Sequence, residues 1–136
     1  MYDQKVAIII KDDLLAWQKL NVVSFLASSI AIQFPETHGE AFITSDQVEF
    51  LPFMKHPILV YKADTSEKLQ RAFQRARDRE LAIGIYTNPL FGTKSGQENV
   101  QEIARHRVNE LDLAGIIIYG ENKKVDKALD GLKFHD

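Results

Sequence analysis

Four short stretches of this sequence are apolar at both odd and even positions, and that pattern limits the fold more than any other feature of the chain. They are Lys5–Lys11 (KVAIIIK), Pro57–Lys62 (PILVYK), Leu81–Thr87 (LAIGIYT) and Leu113–Tyr119 (LAGIIIY). A strand with one face in water alternates apolar and polar residues, so strands apolar on both sets must be covered on both faces. The covers are the segments between them. Asp12 and Asp13 precede Leu14–Phe34, where Trp17, Leu20, Val23, Ile30 and Phe34 recur at helical spacing and Pro35 supplies a stop. Asp64, with Glu67 three residues later, opens a helix to about Arg79 whose core stripe is Leu69, Ala72, Phe73 and Ala76. Gln97 to about Val108 reads as a polar-faced helix, and Lys123–Leu129 as a short one ending before Gly131. Phe42–Thr44 and Val48–Phe50, separated by Ser45-Asp46-Gln47, suggest a hairpin. The expected architecture is a single α/β domain over residues 1–136. It is a three-layer α/β/α sandwich around a mixed, mainly parallel sheet, with the hairpin as an elaboration.

Charge and composition narrow the function. A chain of 136 residues, 45% of them hydrophobic, can bury one core but is short for two. The net charge of −2, with both signs spread along the chain, lacks the basic footprint of nucleic-acid binding or a polybasic membrane anchor. Nucleic acid and membrane are therefore not the expected partners. With no cysteine there are no disulfides, thiolate metal sites or cysteine nucleophiles, which fits a cytoplasmic setting. Met1–Lys11 is broken by Asp3, Gln4 and Lys5 and reads as neither secretory signal nor membrane span. His38, His56, His106 and His135 have no paired ligand spacing, and neither a Gly-x-Ser-x-Gly elbow nor a His-Glu-x-x-His helix occurs. No metal or cofactor is called for.

In open α/β sheets ligands collect beyond the carboxyl ends of the strands. Two segments take that position: Lys11–Asn21 after the first strand, and Asn88–Gly96 after the Leu81–Thr87 strand. If those strands are parallel neighbours, Asp13, Lys19, Asn21, Asn88, Thr93 and Lys94 converge on one crevice. Each has a plainer reading. Asp13 would serve as a general base or bind a ligand hydroxyl, but an acid just before a helix more often caps it. Lys19 would bind an anion, or simply lie on an exposed helix face. Trp17 would line a pocket, or anchor the core. Gly92-Thr93-Lys94-Ser95-Gly96 lacks the spacing of a phosphate loop, so a glycine-rich turn explains it better. Lys68, Arg71, Arg75 and Arg79 form a strip on the second helix that Glu67 and Asp78 dilute, as on an ordinary solvated face.

A resemblance adds to this reading. Lys5–Lys11, Asp13-Leu14, Trp17–Asn21, Phe25–Ala27, Gly39-Glu40, Pro57-Ile58, Tyr86-Thr87, Leu90–Thr93 and Gly131-Leu132 look like the bacterial family "domain of unknown function two thousand". That likeness spans nearly the whole chain. The family is in turn similar in fold to the type-two peptidyl-tRNA hydrolases, which cleave the ester between a peptide and tRNA. After their Asp-Leu dipeptide those enzymes carry Gly-Lys, then Ala-Ala-Gln, then His-Ala. Aligned on Asp13-Leu14, this chain has Lys19-Leu20, Val22-Val23-Ser24 and Ala27-Ser28. Their later acidic residue falls at Asn88, whose amide cannot take up a proton as a carboxylate does, and Thr93 stands for their loop hydroxyl. The resemblance thus implies the hydrolase fold, a homodimer, and a lost hydrolase signature. It leaves a protein binding a small molecule or peptide between the two loops. The alternatives are a divergent hydrolase using Lys19 or Lys94 with Thr93, or a structural homodimer without catalysis.

Overall fold

The strand expected at Lys5–Lys11 lies at the centre of the molecule. In the computed structural model, which describes residues 2–136, β1 (Gln4–Lys11) is the middle strand of a five-stranded sheet, and Val6–Ile10 are buried. The chain continues through α1 (Ala16–Gln33), a hairpin of β2 (Phe42–Ile43) and β3 (Glu49–Phe50), β4 (Ile58–Ala63) and α2 (Ser66–Asp78). It ends with β5 (Ala82–Thr87), α3 (Gly96–Ala104), β6 (Leu113–Glu121), α4 (Asn122–Ala128) and β7 (Lys133–Phe134). The sheet order is β5-β6-β1-β4-β7, with β2 and β3 apart as a second, two-stranded sheet.

The sheet is mixed but mostly antiparallel, which corrects the expectation of a mainly parallel one. Among the described residues only β1 and β4 pair in parallel; β6 is antiparallel to both β1 and β5, and β7 to β4. Strand–helix alternation fixes lengths and covers, not direction. The connection from β5 to β6 passes through a 3-10 turn at Asn88–Gly92, α3 and a second 3-10 turn at Val108–Glu110, and brings the chain back beside β5 in the opposite sense. The connection from β1 to β4 contains α1 and is a true crossover.

Residues pointing alternately from β1 build two apolar layers. Val6, Ile8 and Ile10 pack with Ile117 under Val22, Leu26 and Ile30 of α1. Ala7 and Ile9 pack with Ile116 and Ile118 under Leu69, Ala72 and Phe73 of α2 and Val125 of α4. Each of these large side chains contributes about 1.5–3 kcal/mol when taken from water. Gly115 of β6 lets α1 come close: a Cβ there would sit 2.8 Å from Val22 Cγ1 and 3.2 Å from the Ile9 carbonyl oxygen.

Local details differ from the sequence reading for physical reasons. The buried stripe of α1 is Val22, Leu26 and Ile30, so Trp17 and Leu20 face outward, 53% and 71% exposed. The helix is apolar on more than one side, and spacing alone could not say which side meets the sheet. The cap of α2 is Thr65, whose hydroxyl accepts from Lys68 N at 3.2 Å, while Asp64 pairs with the Lys68 ammonium at 3.2 Å. α3 stops at Ala104, because the Arg107 N–H is taken by the Glu110 side chain at 2.8 Å to start a separate turn. β7 was missed. Among the described residues no helix is long and apolar enough to cross a membrane.

Candidate functional site

β1 and β5 are both antiparallel to β6, so they point the same way and their carboxyl ends share one end of the sheet. They are not neighbours, since β6 lies between them. The groove at that end runs between the exposed face of α1 and the Asn88–Gly92 turn with the start of α3.

An aromatic chain forms its floor. The Trp17 indole meets Phe91 edge to face, centroids 5.8 Å apart at 74°. Phe91 lies 5.0 Å from Tyr86, and Tyr86 lies 6.1 Å from Phe25. Phe25 and Trp17 are eight residues apart on α1, hence on one side of the helix. The 3-10 turn after β5 holds Leu90 inward, and this carries Phe91 to the indole. The groove measures about 430 Å³. Beyond Phe25 and Tyr86 it opens into an apolar hollow of about 450 Å³ walled by Val100, Ile103 and Ala104 of α3.

The polar groups gather at the Trp17 end. Asn21 is exposed one helical turn beyond Trp17, and the Thr93 hydroxyl is shared between the Leu90 carbonyl oxygen at 2.8 Å and the Asn99 carboxamide oxygen. With that oxygen engaged, Asn99 has its NH2 donors left for a ligand. Lys94 lines the same end, and among the described residues its ammonium is in no ion pair. Ser95 caps α3, its hydroxyl accepting from Glu98 N at 3.2 Å. Burial raises the Tyr86 phenol above its ordinary pKa, so it stays protonated. No Asp, Glu or His lines the groove, leaving donors and an apolar floor without an acid–base pair.

Four of the residues singled out from sequence, Trp17, Asn21, Thr93 and Lys94, line this groove together. Three lie elsewhere. Lys19 is two positions past Trp17 on α1, about 200° round the helix. Its ammonium lies 3.1 Å from Asp12 Oδ1 and 3.0 Å from His135 Nε2, beyond the ends of β1 and β7. Lys19 holds the Asp12 carboxyl below the usual carboxylate range, by its hydrogen bond first and its charge second. Asp13 is exposed, 3.5 Å from the Lys11 ammonium, and does not cap α1; there the Leu15 N–H donates to the Gln18 side chain at 2.9 Å. Asn88 ties the end of β5 to the segment before β6, its N–H donating to the Asp112 carbonyl at 2.9 Å and its side chain to Asp112 Oδ1 at 3.0 Å. Sequence reasoning missed Phe25, Tyr86, Phe91 and Asn99. The available signal was the aromatic pair formed by Trp17 and Phe25 at helical spacing opposite Tyr86 and Phe91.

Among the described residues no three His, Asp or Glu side chains are grouped as a metal centre. Residues 4–136 match the family described as "Protein of unknown function (DUF2000)". A solved structure of a protein of unknown function from Agrobacterium tumefaciens matches over 100% of both chains, with a TM-score of 0.94 and 33% sequence identity. No curated protein matches the chain.

Proposed function

Since the chain belongs to the DUF2000 family, whose description assigns no activity, we propose its role from the groove itself: it binds a small molecule or peptide segment with an apolar, aromatic body and an anionic end. The observation that carries this reading is the half-exposed Trp17, set edge-on to Phe91 beside an unpaired Lys94. A large indole left in water at a concave site is apolar surface that a ligand can cover. The body lies along Trp17, Phe91 and Phe25, the anion meets Lys94, and Asn21 and Asn99 supply directional hydrogen bonds.

The same reading takes the fold to be that of the type-two peptidyl-tRNA hydrolases with the chemistry lost. What supports it is the β1–α1 unit, the parallel β1–β4 crossover and helices on both faces of a mixed sheet. The alternative of a divergent hydrolase using Lys94 with Thr93 lacks a base: the groove offers no carboxylate or imidazole, and Lys19 is engaged with Asp12 and His135.

The test is a titration with N-acetyl-phenylalanine and its uncharged amide, following Trp17 emission. A saturable change is expected, and Lys94→Ala should weaken the carboxylate about tenfold, as for loss of a charged hydrogen bond, while sparing the amide. No response to either compound up to millimolar concentration, or equal loss for both, contradicts the reading.

A further inference from the structure

The groove does not end where its polar groups do. Past Phe25 and Tyr86 it runs into the hollow of about 450 Å³, and the two share Phe25, Tyr86, Leu90 and Asn99 as walls. One side of the hollow is a stripe of α3. Asn99 and Ile103 are four positions apart, as are Val100 and Ala104, so all four stand on one side of the helix. Opposite them lie Ile85 of β5 and Phe25 of α1. Polarity therefore changes along α3. Its first turn carries Asn99 beside Thr93 and Lys94, and beyond it the side chains of Val100, Ile103 and Ala104 offer only hydrocarbon. Among the described residues no charged side chain lines the hollow. Val100 is 71% exposed and Phe25 57%, so this carbon surface is left in water.

We propose that the ligand of the groove carries a hydrocarbon tail. It is an anionic molecule whose carboxylate meets Lys94, whose body lies on Trp17 and Phe91, and whose acyl chain runs over Phe25 into the hollow. This rests on the groove being the ligand site and adds the chemical class of the part that extends beyond it. Each end selects its own chemistry. Lys94, in no ion pair among the described residues, attracts an anion. A peptide continuing into the hollow would bring an N–H and a carbonyl with every residue to walls that offer them no partner, which opposes its entry. Methylene groups need no partner and gain from leaving water. Length sets a limit as well. From Asn99 to Ala104 the helix rises about 8 Å, room for a tail of about six methylenes.

Calorimetric titration with N-acyl-phenylalanines, from acetyl through octanoyl to dodecanoyl and below micelle-forming concentrations, tests it. Affinity should rise about twofold per methylene, half the effect of full transfer because the hollow is open on one side, and level off at about eight acyl carbons. Val100→Gln with Ala104→Gln, both exposed positions, should flatten that rise. N-acetyl-leucyl-phenylalanine should gain less than N-octanoyl-phenylalanine. If N-acetyl-phenylalanine binds but a longer chain brings no gain, the tail assignment fails while the groove reading stands; if no member of the series binds, both fall. A rise that the double substitution leaves intact, or a peptide that gains as much as the octanoyl compound, also overturns the tail assignment.

Discussion

Half of the Trp17 surface stays in solvent although its edge rests on Phe91, and this gives the indole two measurable properties. Iodide should quench it in the free protein and less when the groove is filled. Phe91→Ala should remove an aromatic contact of about 0.5–1.5 kcal/mol and make quenching more efficient; unchanged quenching would place the indole elsewhere. His56 gives a prediction of a different kind. It is buried between Tyr2 (ring centroids 4.3 Å) and Tyr119 (5.9 Å), with Nδ1 unpartnered. Burial and then the Lys55 charge push its imidazole below the ordinary 6.5, against a weaker opposite pull from Glu36. The unfolded chain therefore takes up this proton first. The contribution of neutral His56 is complete above 6.5 and is lost as the pH falls through the lowered folded value. Melting temperature should fall between neutral pH and about 5 more steeply for wild type than for His56→Phe. Equal slopes would show that the buried imidazole does not set the acid response.

α1 links stability to the groove, since one side packs on the sheet and the other carries Trp17, Asn21 and Phe25. Adding a methyl group at Gly115 presses on Val22 and the Ile9 backbone, so Gly115→Ala should cost about 1–3 kcal/mol in urea unfolding. It should also alter Trp17 emission, because relief requires α1 to move. A stability within experimental error of wild type would mean that the close approach carries no strain. What the sequence could and could not say divides along the same lines. β1 was legible because a run apolar at every position has one solution, and α2 because Leu69, Ala72, Phe73 and Ala76 stand against a charged remainder. α1 was harder, as Leu20 and Ile32 are apolar yet exposed. β7 was invisible: two residues whose pairing is set by β4 leave no pattern of their own. Loop position alone suggested Trp17, Asn21, Thr93 and Lys94, which line one groove. It could not resolve Lys19, which helix rotation turns toward Asp12, or Asn88, which the return of the chain to β6 engages with Asp112.

At the scale of the molecule, one end of the sheet holds a concave aromatic groove free of carboxylates, and a separate hairpin carries exposed apolar side chains. A concave surface of this size suits a ligand. The absence of a carboxylate or imidazole along the groove leads to the expectation that the purified protein hydrolyses peptidyl-tRNA no faster than background. Turnover that Lys19→Ala abolished would show that chemistry occurs at the Asp12–Lys19–His135 cluster instead. The proposed function requires ligands to enter between α1 and α3. The most direct measurement is a two-dimensional amide spectrum of the isotope-labelled protein, titrated with N-acetyl-phenylalanine. Saturable shifts are expected on the Trp17 indole N–H, the Asn21 and Asn99 side-chain amides and the backbone of Thr93 and Lys94; shifts centred on Lys19 and His135, or none at millimolar ligand, would contradict the proposed function.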